Sequence, residues 1–288
     1  MGLLALDFMV RALIAGALTG VMAPAVGTYI VQRRLSLLGD GLGHVAIAGV
    51  GLALLTGRAP VPIAIAVTVV GAVAIELLRQ SGRASGDVGL AILFYGGLAS
   101  GVLMAGLAGQ GAGTLSQYLF GSLTSVSNPD LAAVAVMAVV VLITALGLSP
   151  QLFAVCADED YARAQGLPTR ALNLIIVIMA AVTVAISMRT VGLLLVSALM
   201  VVPVATSQNL VLGFRRGLAT AMGLGLILAL AGVVASYYLD TATGATIVVL
   251  GVIVFVGTLP VNSVLERHRR ANRLEADEER IFERAEPH

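Results

Sequence analysis

Residues 171–189 read Ala171-Leu172-Asn173-Leu174-Ile175-Ile176-Val177-Ile178-Met179-Ala180-Ala181-Val182-Thr183-Val184-Ala185-Ile186-Ser187-Met188-Arg189, with no charge before the last position. A run of about 20 apolar residues matches the hydrocarbon thickness of a bilayer. Only helices and closed barrels satisfy their backbone groups in that medium. The apolar residues here are continuous rather than alternating, so the run is a transmembrane helix. Working outward, the same pattern recurs at 8–32, 38–56, 60–79, 87–108, 129–148, 191–212, 217–236 and 243–261. The stretch at 38–56 is short. The junction around Met188-Arg189-Thr190 is tight enough to allow a re-entrant piece, so the expectation is about nine spans within a range of eight to ten. The fold class is all-α, a polytopic transmembrane bundle. Residues 1–261 form the membrane domain, and 262–288 form a charged cytoplasmic C-terminal tail.

Composition agrees. The 288 residues are 58% hydrophobic and 11% charged, against about 25% charged in soluble domains. Mean hydropathy is +0.99. No single globular core hides that much apolar surface. The 33 glycines suit helices that approach closely where lipid supplies no hydrophobic drive for association. A net charge of +1 gives no electrostatic case for nucleic acid. The lone cysteine, Cys156, excludes an intramolecular disulfide framework and a multi-cysteine metal site. Residues Met1 to Val10 lack the basic start and cleavage site of a signal peptide, so the first helix is expected to stay.

Every one of the 17 basic residues is arginine, and their placement orients the chain. With the Ser149–Arg170 loop inside and nine spans alternating, Arg33, Arg34, Arg79, Arg83, Arg163, Arg170, Arg215 and Arg216 fall inside with the six arginines of the tail. Arg11, Arg58 and Arg189 fall outside. Fourteen against three places the N-terminus outside and the C-terminus in the cytoplasm. The tail from Glu266 to Arg284 carries both signs densely, as a solvated short helix with i,i+4 pairing would. The chain has no phosphate-binding Gly-rich Lys-Ser/Thr loop, so it is not expected to hydrolyse ATP itself.

Two polar stretches carry candidate chemistry. In Arg33-Arg34-Leu35-Ser36-Leu37-Leu38-Gly39-Asp40-Gly41-Leu42-Gly43-His44, Asp40 and His44 lie four apart and share a helix face. Ionisable groups within a membrane segment are functional candidates, and a carboxylate beside an imidazole suits zinc, manganese or ferrous iron. The spacing equally allows an Asp–His hydrogen bond, or Asp40 as a cap favoured by the helix dipole. The second stretch, Asp158-Glu159-Asp160-Tyr161-Ala162-Arg163-Ala164-Gln165-Gly166-Leu167-Pro168, is helix-capable and stops at Gly-Leu-Pro. It reads either as a docking element for a soluble partner or as an ordinary amphipathic loop. Tyr118, Tyr237 and Tyr238 fit an interfacial aromatic belt. Pro203, inside a span, is expected to kink its helix and free a carbonyl.

Taken in order, four blocks resemble the metal-cation ABC transporter permeases, the zinc and manganese uptake family. They are Arg33 to Ser36 with Gly39-Asp40 and His44; Tyr118-Leu119-Phe120-Gly121; Ala162 to Gly166 with Val191 to Leu199; and Pro203-Val204-Ala205-Thr206 with Thr243 to Val248. The resemblance extends from about residue 10 to 260 and implies a type II ABC importer-like permease. It further implies a second permease copy (a homodimer or a paired subunit), a cytoplasmic ATP-binding subunit and an extracytoplasmic metal-binding protein. That carrier would dock on the outward loops at 117–129 and 237–243. Asp40 and His44 would coordinate the metal in transit, with no permanently bound cofactor. The loop of Asp158, Asp160, Ala162, Gly166 and Leu167 would couple to the ATPase. Gly41 and Gly43 depart from the family pattern, in which bulkier or hydroxyl residues are common there, and could loosen the helix. Competing readings are an ABC permease for a chelated metal such as a siderophore or cobalamin, and a gradient-driven secondary transporter. The first needs no intramembrane ligand pair, and the second predicts inverted repeats that the chain does not display.

Overall fold

The computed structural model describes residues 7–81, 86–110, 112–121 and 126–260, so the charged tail expected at 262–288 lies outside the described residues. The described chain is helical, with α1 (Asp7–Gln32), α2 (Leu38–Thr56), α3 (Pro60–Gln80), α4 (Gly86–Leu107), α5 (Ala112–Phe120), α6 (Asn128–Gly147), α7 (Ser149–Ala157), α8 (Glu159–Ala164), α9 (Thr169–Val191), α10 (Leu193–Leu210) and α11 (Phe214–Leu239). A further helix, α12 (Thr243–Pro260), completes the order. Among the described residues, nine of these are long and apolar enough to cross a bilayer: all but α5, α7 and α8.

The boundaries follow local chemistry. Helix α3 opens on Pro60, in the first turn, where a missing N–H costs nothing. At α6, Ser127 and Asp130 form a reciprocal capping box around Pro129. The junction of the sixth and seventh spans differs from the sequence expectation. Helix α9 continues past Arg189 to Val191, and the break falls on Gly192, whose φ of 91° favours glycine. With 23 and 18 residues, α9 and α10 reach about 34 and 27 Å at 1.5 Å per residue, so both are full spans. Helix α10 runs through the buried Pro203. Its ring withholds the donor that the Leu199 carbonyl would otherwise receive.

Three helices form the interior. Protein encloses 78% of the apolar window of α2, 72% of α9 and 61% of α1, but only 22% of α6 and 17% of α12. The peripheral helices turn apolar faces outward, such as Val136, Val139, Val140 and Ile143 on α6. In lipid this exposure is stable, and interior association rests on close packing of small residues. Helix α2 packs on α4 and α3, while α1 packs on α11, α10 and α9. At the α1–α10 crossing a β-carbon on Gly27 would overlap the Met200 carbonyl group, and at the α1–α11 crossing Gly20 and Gly225 face each other's backbone.

Gly27→Ala is therefore expected to destabilise the bundle by about 1–3 kcal/mol, the usual cost of overpacking. Thermal unfolding in detergent should show a lowered midpoint. Gly106→Ala, where a β-carbon meets nothing within 4 Å, should leave the midpoint unchanged.

Candidate functional site

The site begins at the turn from α1 to α2. Arg34 adopts a left-handed conformation at φ 58°. The Leu35 N–H donates to the Ile30 carbonyl at 3.0 Å, and the Leu38 N–H donates to Leu35 at 2.8 Å. These bonds join the two helices through a few residues and place Asp40 in the first turn of α2. Asp40 is half-buried and His44 is buried, with 7% of its surface exposed. They lie one turn apart on one face, as their spacing requires.

Neither local hydrogen bond open to the pair is made, though Asp40 sits in the first turn, where the helix dipole favours a carboxylate. The N-cap position belongs to Leu37 and has no side-chain cap. Among the described residues, no hydrogen bond joins Asp40 to His44. The imidazole rests edge-on against Phe94 of α4, with ring centroids 4.0 Å apart, and its Nδ1 is enclosed without a hydrogen-bond partner. A buried nitrogen left unpaired costs free energy. Neutral imidazole and carboxylate are the forms that bind divalent metal.

Of the glycines around the pair, Gly43 and Gly97 sit at close helix contacts, whereas Gly41 meets its neighbours at ordinary van der Waals distance. Helix α2 is unbroken through Gly41 and Gly43. A β-carbon on Gly43 would strike the Leu193 side chain of α10, and one on Gly97 of α4 would strike the His44 backbone. Helix α10 also brings Ser197 and Met200 against Gly39. Among the described residues, no group of three or more His, Cys, Asp or Glu could hold a metal within one chain.

The second stretch singled out in the sequence forms the middle of the Ser149–Arg170 connection. Asp158 separates α7 from α8 and caps the latter by accepting the Tyr161 N–H at 2.9 Å. Asp160 is exposed and pairs with Arg163 at 3.5 Å, while Ala162 is fully buried and anchors α8 to the body. The segment turns at Gly166, φ 82°, and the partly buried Leu167 packs on the core. Beside it lies a cleft of about 760 Å³ lined by Arg79, Gln80, Glu159, Arg163 and Arg170 among others.

Sequence reading misses the charge that connects the two stretches. Glu76 of α3, 2% exposed, accepts the Arg79 guanidinium at 2.7 and 2.8 Å and the Gln80 amide at 2.9 Å. Arg33 lies 3.8 Å from the same carboxylate, and Arg79 lies 4.0 Å from Glu159 at the start of α8. A carboxylate within an apolar run is the available signal. Phe94 carries none, since its contact with His44 spans distant helices. Elsewhere in the bundle, Arg189 at the end of α9 pairs with Asp130 at the start of α6 at 2.8 Å.

Cys156, on α7 beside α8, offers a reporter. Burial pushes its thiol from the usual 9.0 up to about 12. A raised thiol pKa keeps the proton on at neutral pH, and the nucleophile is the thiolate. That rise lowers the thiolate population on the order of a thousandfold at pH 8. Maleimide labelling of the folded protein should be slower than labelling after unfolding by roughly two to four orders of magnitude, and should accelerate as pH rises toward about 12. Equal rates at pH 8 would contradict the burial.

Comparison with known proteins fits this geometry. The model of the ABC 3 transport family matches residues 5–262. The manganese transport system membrane protein MntC of Halalkalibacterium halodurans is 31% identical over 94% of this chain and 94% of its own. The high-affinity zinc uptake system membrane protein ZnuB of Haemophilus influenzae is 27% identical over 88% and 97% respectively. Among solved structures, PsaBC from Streptococcus pneumoniae in complex with Fab superposes with a TM-score of 0.78 at 26% identity, covering 89% of this chain and 92% of that one. A family match running from before α1 to beyond α12, with the paired residues of α2 inside it, makes this chain a member of the ABC 3 transport family.

Proposed function

We propose that the chain is the membrane permease of an ATP-binding cassette importer that moves a divalent transition metal (zinc, manganese or iron) into the cytoplasm. The observation that carries the reading is the Asp40–His44 pair, stacked one turn apart in an interior helix and engaged in no structural hydrogen bond among the described residues. Relatives named for zinc uptake and manganese transport support the cargo class.

Two ligands per chain are too few to retain an ion. A second copy of the permease, related by a two-fold axis, would supply two more. Four borrowed ligands suit transit, where binding must admit the ion and then release it. The carboxylate offers a hard oxygen and the neutral imidazole a borderline nitrogen, a combination suited to zinc, manganese and ferrous iron. The arginine distribution supports an N-terminus outside and a C-terminus in the cytoplasm. On that orientation α8 faces inward, where a separate ATP-binding subunit would grip Asp158, Asp160 and the Gly166–Leu167 turn. A metal-binding carrier would deliver the ion on the opposite face. Closure of the ATP-binding subunits would then reorient the helices.

Asp40→Ala and His44→Ala should each abolish uptake of labelled zinc and manganese by the reconstituted complex while the ATP-binding subunit still co-purifies. Uptake at the unmodified rate by either variant would remove the pair from the pathway.

A further inference from the structure

The end of the bundle that bears α8 contains a run of charges that the transport site does not use. Its centre is rigid. Arg79 and Glu76 are joined by two short, parallel hydrogen bonds, and Gln80 adds a third; such forked contacts are strong and directional. Its two ends are longer contacts. Glu159 of α8, which accepts Arg163 at 3.1 Å through Oε1, has its Oε2 4.0 Å from Arg79, and Arg33 stands 3.8 Å from Glu76. Arg33 is itself buried, and its Nη1 has no hydrogen-bond partner, so its guanidinium has a free donor with which to take more of the Glu76 carboxylate.

The arrangement contains two competitions. Arg79 is shared between Glu76 and Glu159, and Glu76 is shared between Arg79 and Arg33. Drawing α8 toward α3 strengthens the Arg79–Glu159 contact and frees Glu76 for Arg33. Drawing α8 away does the reverse. Arg33 lies seven residues before Asp40, across the hydrogen-bonded turn described above. A shift of its side chain therefore acts on the start of the helix that bears the ligand pair. Alternative pairings of this kind are the discrete two-state elements through which distant sites couple.

We infer that Glu76, with Arg79 and Arg33 on either side, is the positioning residue that couples movement of α8 to the α1–α2 turn. This rests on α8 being the contact with the ATP-binding subunit. Within that frame, Glu76 neither touches metal nor contacts ATP; it sets how much import each hydrolysis yields.

The test is a ratio, measured on the whole complex in liposomes with its carrier: metal imported per ATP hydrolysed. Glu76→Gln keeps the shape and removes the charge, and should lower the ratio roughly two- to thirty-fold, the span of mutational effects on coupling. Glu159→Gln, at a half-exposed position that tolerates substitution, should lower it in the same direction and decides the matter if Glu76→Gln does not fold. Import and hydrolysis falling in proportion, or a ratio unchanged in both variants, would overturn the relay and leave the transport reading intact. Absence of ATP-driven import in the unmodified complex would instead overturn the transport reading and the relay with it.

Discussion

Helix α2 is held by close approaches at glycines. Gly97 of α4 meets the His44 backbone and Gly51 meets Gly101 of α4, while on the other side Gly43 seats the Leu193 side chain of α10. Lipid offers no hydrophobic force to press helices together, so contact at this range is what fixes their relative position. The candidate site follows from that fixture. It fixes where Asp40 and His44 sit among the helices, seats the imidazole against Phe94, and makes the α1–α2 turn a short connection between tightly held elements.

How far the sequence foretells this structure depends on the range of the interaction. Membrane spans are legible because length and continuity of apolar residues are local properties, and residues 38–56 and 243–260 emerge as helices close to where hydropathy puts them. The shared face of Asp40 and His44 is legible for the same reason, since four residues make about one turn. Glycines are harder. Gly41 and Gly43 read as a departure that could loosen α2; the structure adds that Gly43 seats the side chain of Leu193, a residue far along the chain. Polarity draws the expected α9–α10 break to Arg189, but the chain turns where its backbone angle demands glycine, at Gly192.

Charges divide in the same way. Arginine placement carries an orientation signal because it sums over many positions. The pairing of Glu76 with Arg79 and Gln80 follows helical spacing, but its links to Arg33 and, through Arg79, to Glu159 join distant elements, and no spacing reveals them. Sequence alone groups Ala162 with the exposed acidic residues of its stretch. Its burial shows that one face of α8 belongs to the bundle and the other, carrying Asp160 and Tyr161, to the surface.

The single-residue joint at Gly192 also bears on biogenesis. Two full spans connected without a loop leave no slack for one to enter the bilayer ahead of the other. Such a joint favours entry of the two helices as one hairpin, with their backbone groups already satisfied within each helix. The same joint removes any site between them for an inserted epitope or a protease cut.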